Sequence, residues 1–324
     1  MRQVAVVTTG FFDGVHLGHR HVLERLVSSA RERGEEALVV TFWPHPRTVL
    51  QQDARDFRLL TSLEEKKELL LGCGVDRVEV IPFTRQFAAM KASEYLQLLH
   101  DRYGASLVVM GYDNRLGSDG KTVSELAGAS AAEGCHCKTA SAFASAPFVD
   151  FVAVPPLTWP RVATGFATTP SSASSPAISS TIIRKALIDG EIEEVERMLG
   201  YKYSLYGVVV AGNRLGRTIG FPTANMQLYE PLKLVPGNGV YAAEVEVDGR
   251  LFRGMTNIGI RPTVGGTTRT IETHILDGFN EDIYGLPIRL RFLSKIRDER
   301  RFDSLDALKA QLQADSLFVS NRIA

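Results

Sequence analysis

The sequence predicts two domains: an α/β domain built on a parallel sheet, followed by a small antiparallel β-barrel domain with a C-terminal helix. In the first half, short apolar runs alternate with segments of helical spacing, a pattern typical of strands and helices arranged around a parallel sheet. In the second half, consecutive strand-length patterns end in a single helical pattern, which is typical of a small barrel. The 324 residues are long for one domain and sufficient for two.

The α/β half is defined by its apolar runs and by two helix starts. Apolar runs of buried-strand length lie at residues 4–7, 37–42, 78–81 and 107–110. Apolar residues at helical spacing, from Val22 to Ala30, follow the first run. Ser62 with Glu65, and Thr122 with Glu125, form capping boxes that predict two further helices. Ligands of such sheets bind beyond the carboxyl ends of the strands.

The second half is predicted to begin near Gly200, after a helical stretch from Thr181 to Leu199. Asp248-Gly249 is a strong hairpin signal between two of its strands. The predicted domains are therefore 1–199 and 200–324. The predicted strands lie at 203–211, 240–247, 251–258, 270–276 and 288–293, and the predicted helix at 304–312. Residues from about 139 to 178 are rich in Ser, Ala and Pro, which favours a flexible insertion over a folded lid.

Composition narrows the class of protein. Lys+Arg and Asp+Glu both count 37, so the chain lacks the basic character of a general nucleic-acid-binding protein. Cys73, Cys135 and Cys137 cannot form a disulfide framework and indicate a reducing compartment. No apolar run approaches the roughly 18 residues that a membrane span requires, and the first residues do not resemble a signal peptide. We expect a cytoplasmic enzyme that binds neither nucleic acid nor a membrane; the sequence leaves its oligomeric state open.

The sharpest motif is the segment from Gly10 to His19, which joins the first strand to the first helix. Its glycines, Gly10 and Gly14, allow the backbone to approach a phosphate closely. The free N–H groups of the helix start attract anions. His16 and His19 lie three residues apart near that start and can reach the same phosphate oxygens. The segment predicts a phosphate-binding site.

His16-Leu17-Gly18-His19 resembles the H-x-G-H signature of the nucleotidyltransferase superfamily, and Ile178–Arg184 is similar to its second signature. Two hydroxyls and an arginine at a helix start can hold the phosphates of a leaving group. Residues 41–46 and 111–117 are similar to motifs of prokaryotic FAD synthetase, whereas 216–225, 272–274 and 296–302 are similar to riboflavin kinase. Because these motifs cover nearly the whole chain in order, it is identified as a member of the bifunctional riboflavin kinase/FAD synthetase family.

The resemblance implies a Rossmann-like nucleotidyltransferase domain, a riboflavin kinase barrel and two reactions. The second domain would phosphorylate riboflavin with Mg²⁺ and ATP, giving FMN and ADP. The first would adenylylate FMN with another ATP, giving FAD and pyrophosphate. Such transfers depend on positioning and charge stabilisation more than on a covalent nucleophile. The phosphate of FMN would attack the α-phosphate of ATP while His16 and His19 stabilise the developing charge.

The resemblance also implies the site residues. ATP in the first domain would contact Gly10, Phe11, Asp13, Gly14, His16, His19, His45, Asp113, Ser179, Ser180, Thr181 and Arg184. Two other hypotheses, a kinase with weak adenylylation and a flavin-binding regulator without turnover, are disfavoured because the motif residues of both reactions are present. His45 has the simpler alternative of capping a strand end, and Asn114 and Leu116 replace aromatic residues usual in the family. In the second domain, Glu272 would be the general base, Thr223 and Asn225 would bind Mg²⁺, and ATP or flavin would contact Gly212, Gly216, Arg217, Gly220, Pro222, Arg297 and Glu299.

Cys135-His136-Cys137 resembles a metal clip, but no second ligand pair follows at the spacing of a zinc site. We therefore do not expect a metal there.

Overall fold

The structure is a computed structural model that describes residues 4–50, 57–127, 149–157, 177–212, 216, 219–263, 266–276, 279 and 281–322. By their contacts the residues form two compact units, Met1–Ser180 and Thr181–Ala324. The strands of the first unit are β1 (Ala5–Thr9), β2 (Glu36–Trp43), β3 (Arg77–Pro82), β4 (Ala105–Gly111), β5 (Arg115–Leu116), β6 (Lys121–Thr122) and β7 (Asp150–Val154). Its helices are α1 (Leu17–Arg33), α2 (Pro46–Leu50), α3 (Leu63–Gly72), α4 (Arg85–Ala88), α5 (Ala92–Tyr103) and α6 (Val123–Ala127).

The first unit contains the predicted parallel sheet, with strand order β3-β2-β1-β4-β7. Its two faces are buried in separate apolar clusters. One cluster includes Leu23 and Leu26 of α1, and the other includes Leu96 and Leu99 of α5. Both predicted capping boxes are present, at the starts of α3 and α6. Within the described residues the sheet is therefore covered on both sides, which leaves its ends for a ligand.

The prediction of a flexible insertion from about 139 to 178 is wrong for its described middle part. Residues 150–154 form β7, which pairs in parallel with β4 at the edge of the sheet. Val149, Phe151 and Val154 are buried there, and burial of such side chains outweighs the turn-forming composition around them. Residues 139–148 and 158–176 lie outside the described residues.

The second unit is the predicted barrel, preceded by two helices. Six antiparallel strands close in the order β10-β11-β12-β9-β8-β13, and β13 pairs with β10. The Asp248-Gly249 hairpin is confirmed, since both residues adopt positive φ values of 50° and 68° between β10 and β11. The elements are α7 (Ser180–Asp189), α8 (Ile192–Leu199), β8 (Ser204–Val210), β9 (Ala224–Leu228), β10 (Gly239–Val247), β11 (Arg250–Thr263), β12 (Gly266–Ile275), β13 (Pro287–Arg297) and α9 (Leu305–Arg322).

Two helical predictions for this unit need correction. The stretch 181–199 is two helices, because Gly190 between them has a φ of 78°, which ends α7. The final helix continues to Arg322 rather than ending at Leu312, because Leu312 and Val319 both pack on the barrel. By contacts α7 and α8 fall mainly with the barrel, whereas the sequence places the functional boundary near Gly200. Across the described residues, no helix has the length and apolarity to cross a membrane.

Candidate active sites

The turn between β1 and α1 has an unusual backbone. Phe12 and Val15 have φ values of 48° and 37°, and Gly14 has a φ of 85°. A β-branched residue such as Val15 rarely adopts a positive φ, so the surrounding structure must hold this conformation in place. The turn lies at the carboxyl end of the sheet, where ligands of such folds bind.

Asp13 provides much of that support. Its carboxylate accepts hydrogen bonds from the backbone N–H groups of Leu60 and Thr61, at 3.0–3.1 Å, and from the Thr61 hydroxyl. The N–H of Gly14 donates to Thr61 Oγ1 at 3.1 Å, and Ser180 Oγ donates to the Asp13 carbonyl at 2.9 Å. Asp13 is buried. The structure therefore gives it a bracing role; contact with ATP stays a prediction.

The two histidines of the motif stack on each other, with ring centroids 3.6 Å apart. Nδ1 of His16 caps α1 by accepting a hydrogen bond from the His19 N–H at 3.3 Å. A ring nitrogen that accepts carries no proton, so Nε2 of a neutral His16 carries it and can donate to an anion. The pKa of His19 lies well below its ordinary value, mainly because of burial and also because of His16 and Lys66. The His19 ring therefore offers an N–H donor rather than a full positive charge.

The buried Nδ1 of His19 has no hydrogen-bond partner among the described residues. Buried polar atoms are normally paired, so an orphan atom in a motif predicted to bind phosphate indicates a place for ligand or water. This observation fits the predicted role of the motif.

Lys66 lies beside this turn, and the sequence analysis did not single it out. It is 5% exposed, and its ammonium donates to the carbonyls of Phe11 at 3.2 Å and Phe42 at 3.3 Å. Burial lowers its pKa to about 8, and Asp13 opposes part of that shift. In the sequence it lies within the charged segment 64–68, where a lysine is expected to be exposed on the surface of a helix. The sequence did contain one indication of its burial, because Lys66 lies one helical turn before Leu70 on the buried face of α3.

His45 has a structural role, but it caps the start of a helix and not the end of a strand, as its alternative interpretation expected. Its Nδ1 accepts from the Arg47 N–H at 3.2 Å, and its carbonyl accepts from Thr48 at the start of α2. Its ring also contacts Phe11 and Phe57, with centroids 5.2 and 4.5 Å away. It is therefore adjacent to the motif turn, and a contact with ATP stays a prediction.

The other predicted residues of this site are distributed over several elements. Asp113 is exposed just after β4, at the carboxyl edge of the sheet. Ser179 precedes α7 and Ser180 opens it, and the carbonyl of Ile178 lies near Gly18 of the motif. Thr181 and Arg184 lie on α7 and belong by contacts to the second unit.

In the second unit, three polar residues form a row across adjacent strands. Glu272 on β12 lies opposite Asn225 on β9 and opposite Asn257 on β11. Directly opposed residues of antiparallel strands share one face of the sheet. Their neighbours Thr256 and Thr273 are buried inside the barrel, so the row faces outwards. Asn257 was missed by sequence analysis, because only the strand register reveals its position.

The signature loop that carries Thr223 is held against this row. The amide of Asn225 lies directly over the backbone of Gly212. The Gly216 carbonyl accepts from the N–H groups of Ile219 and Phe221, at 3.2 and 2.8 Å, closing the loop on itself. Thr223 therefore lies between this closed loop and β9. Gly220 is exposed, with a φ of 86°, and Arg217 lies outside the described residues.

His274 anchors the same loop to β12. Its Nδ1 donates to the Pro222 carbonyl at 2.7 Å, and its ring contacts Phe221. Burial lowers the pKa of His274. Because a carbonyl only accepts, the proton of the neutral ring lies on Nδ1.

Arg297 and Glu299 have different surroundings. Nε of Arg297 donates to both carboxylate oxygens of the buried Asp315 on α9, at 3.2 Å to Oδ1 and 2.9 Å to Oδ2, and Nη2 lies 2.8 Å from Oδ2. This ion pair attaches the final helix to the barrel. The Glu299 carboxylate lies against the backbone of Gly259, two residues beyond Asn257 on the same strand. Flavin contact stays a prediction for both.

The residues at the barrel site suit Mg²⁺. Thr223 and Asn225 offer neutral oxygens, which are ligand types that Mg²⁺ accepts, and the Glu272 carboxylate opposite Asn225 adds negative charge nearby. No group of three or more His, Cys, Asp or Glu side chains is arranged to bind a metal within the described part of the chain. A magnesium ion held here would therefore rely on substrate phosphates and water for its other ligands.

The fold and these sites define a class: a two-unit transferase with a nucleotidyltransferase motif on a parallel sheet and a kinase signature on a closed barrel. Profiles of two families match, FAD synthetase over residues 1–146 and riboflavin kinase over residues 199–322. The chain belongs to the bifunctional riboflavin kinase/FMN adenylyltransferase family.

Curated members of that family are similar along almost their whole length. The Escherichia coli K12 protein is 38% identical and the Listeria monocytogenes protein 36% identical, each over 96% of this chain and 90% of the relative. A crystal structure of a Streptococcus pneumoniae protein described as a macrolide-efflux protein has a TM-score of 0.84 and 31% identity, covering 99% of this chain and 95% of its own. That likeness supports the fold across both units.

Proposed function

We propose that this enzyme makes FAD from riboflavin in two steps, one in each of the two domains predicted from the sequence. Residues 200–324 phosphorylate riboflavin to FMN, and residues 1–199 adenylylate FMN. The observation that supports this proposal is that two separate groups of polar side chains have donors or ligands suited to phosphate chemistry: the stacked His16–His19 pair at the start of α1 and the Asn225–Glu272 pair on the barrel.

For adenylylation, an oxygen of the FMN phosphate attacks the α-phosphorus of ATP, and the bond to the β-phosphate oxygen breaks, releasing pyrophosphate. His16 and His19 donate N–H groups to the phosphate oxygens on which charge develops. The N-terminal N–H groups of α1 bind the same anion. Gly10, Gly14 and the brace at Asp13 hold the turn, and Ser179, Ser180, Thr181 and Arg184 hold the leaving pyrophosphate.

For the kinase step, the primary hydroxyl of riboflavin attacks the γ-phosphorus of ATP and ADP leaves. Glu272 accepts the hydroxyl proton, since a neutral alcohol is a poor nucleophile without a base. Thr223 and Asn225 would hold Mg²⁺, which would neutralise charge on the ATP phosphates. The closed loop from Gly216 to Phe221 positions these ligands.

Riboflavin, FMN and ATP are the proposed small-molecule partners, and the proposed location is the cytoplasm. Balanced charge and the small number of cysteines support these assignments.

Incubation of the full chain with riboflavin, ATP and Mg²⁺, followed by chromatography, tests the proposal. We expect both FMN and FAD. FMN alone would favour a kinase whose adenylylation is weak, and unchanged riboflavin would contradict both activities. Adding FMN in place of riboflavin separates the second step from the first.

A further inference from the structure

Lys66 occupies a position unlike that of an ordinary surface lysine. Its ammonium lies beneath the motif turn, 3.2 Å from the Phe11 carbonyl and 3.3 Å from the Phe42 carbonyl. The Trp43 ring lies on one side, with its centroid 5.6 Å from Nζ. Lys66 thus connects the turn after β1 with the end of β2, and its charge lies among buried groups.

Keeping a charged lysine in this buried position lowers the stability of the fold. Burial of an ammonium disfavours its charged form, and carbonyl oxygens offset only part of that cost. Two carbonyls could be joined equally well by a neutral donor. A buried cation beneath a turn predicted to bind an anion is therefore a stronger indication of function than a cation on the surface.

The location of the charge identifies what it attracts. The Phe11 carbonyl belongs to the turn that presents His16 and His19, and the Phe42 carbonyl lies near the carboxyl end of β2. The N-terminus of α1 favours anions at the same place. All three features converge on the end of the sheet where a nucleotide phosphate would bind.

We propose that Lys66 is a positioning residue of the adenylylation site, which fixes the motif turn through its two carbonyl bonds and attracts the triphosphate of ATP through its charge. This inference rests on the proposed assignment of adenylylation to the first unit. Lys66 acts from beneath the turn and makes no contact with substrate.

A change of pH separates the effect of the Lys66 charge from the effect of its two hydrogen bonds. The pKa of Lys66 is about 8, so its charge is present below that pH and is lost as pH rises through it. The resulting neutral amine still donates two hydrogen bonds. Of the groups in this region, His19, whose pKa is lowered, stays neutral throughout this range, and Lys66→Met leaves the Asp13 carboxylate and the His16 ring in place. Loss of affinity for ATP in this range would therefore report the charge on Lys66.

The test is the KM for ATP in adenylylation of supplied FMN, measured from about pH 6.5 to about pH 9.5. In the unaltered enzyme we expect this KM to rise roughly 10-fold across the transition. Lys66→Arg should keep a low KM to higher pH, because arginine remains charged. Lys66→Met should have a KM raised roughly 10-fold at neutral pH and no alkaline transition.

Two controls accompany these variants. Lys67→Met removes the neighbouring lysine, whose ammonium pairs with Glu64 on the surface, and should match the unaltered enzyme. The KM for ATP in riboflavin phosphorylation, measured on the same samples, should not follow the Lys66 variants. This second KM also corrects for the effect of pH on the ionisation of ATP itself.

An unaltered KM and pH profile in Lys66→Met would overturn the inference. If that variant does not fold, the comparison of Lys66→Arg with the unaltered enzyme decides, since coincident alkaline profiles would also overturn it. Failure of the proposed function is distinguishable, because the unaltered enzyme would then form no FAD from FMN and ATP at any pH.

Discussion

A methyl group at Gly212 should impair riboflavin phosphorylation with little loss of stability. The Cβ of an alanine there would lie 2.6 Å from Cγ of Asn225, and closer still to its amide nitrogen. Ordinary contacts start at 3.4 Å, so the amide must retreat by roughly 1 Å. Gly212 does not have a positive φ, so the backbone accepts alanine. Displacement of a reacting group by about 1 Å can cost on the order of 10²-fold in rate.

The assay compares FMN formation by Gly212→Ala and by the unaltered enzyme over a range of Mg²⁺ concentrations. We expect kcat/KM for riboflavin to fall roughly 10²-fold, with a higher Mg²⁺ requirement and normal adenylylation of supplied FMN. Gly72→Ala is the matched control, because a Cβ at that position meets nothing within 4 Å. Normal kinase activity in a folded Gly212→Ala enzyme would show that the position of Asn225 does not matter for the reaction.

Four further outcomes are expected. His19→Ala should lower FAD formation on the order of 10²-fold by removing one donor, while FMN formation stays normal; equal loss of both products would contradict the assignment of one reaction to each unit. Glu272→Gln should reduce FMN formation by roughly 10²- to 10⁴-fold and spare adenylylation of supplied FMN, so a normal phosphorylation rate would exclude this base. Asp315→Ala should destabilise the barrel by about 3 kcal/mol, because it leaves the largely buried Arg297 without its ion pair. Asp298→Ala, at an exposed ion pair, should change the stability little. Loss of kinase activity with increasing denaturant measures both stabilities, and equal midpoints for the two variants would contradict this ranking. A fragment of residues 181–324 should convert riboflavin to FMN and make no FAD, and a folded but inactive fragment would mean that the kinase site needs the first unit.

Local signals predicted much of the fold, because they depend on neighbouring residues alone. The capping box of Ser62 with Glu65 joins residues three positions apart, and Asp248-Gly249 forms its hairpin through backbone preference. Phe151 was assigned to a flexible insertion because the residues around it are rich in Ser, Ala and Pro. Its burial depends on pairing with β4, about forty residues earlier, and no local pattern specifies that partner.

The residues of the candidate sites also divide into those that local sequence reveals and those that only the fold reveals. His16 and His19 were found because their motif is contiguous, and Glu272 and Asn225 because each lies in a short recognisable segment. Asn257 escaped notice because its place beside Glu272 follows only from the register of β11 against β12. Lys66 was overlooked because its neighbours in sequence are charged and exposed, whereas its neighbours in space are carbonyls and an aromatic ring.

Closure of the barrel has a consequence for how the chain acquires its two sites during translation. The pairings of the parallel sheet are complete once Val154 has been made, so this sheet can form while later residues are still on the ribosome. The barrel must wait, because β13 closes it by pairing with both β8 and β10. Until Arg297 emerges, the edges of β8 and β10 that later pair with β13 remain exposed to other chains and to chaperones. The unit that we assign to the second reaction is therefore the first that a growing chain can complete.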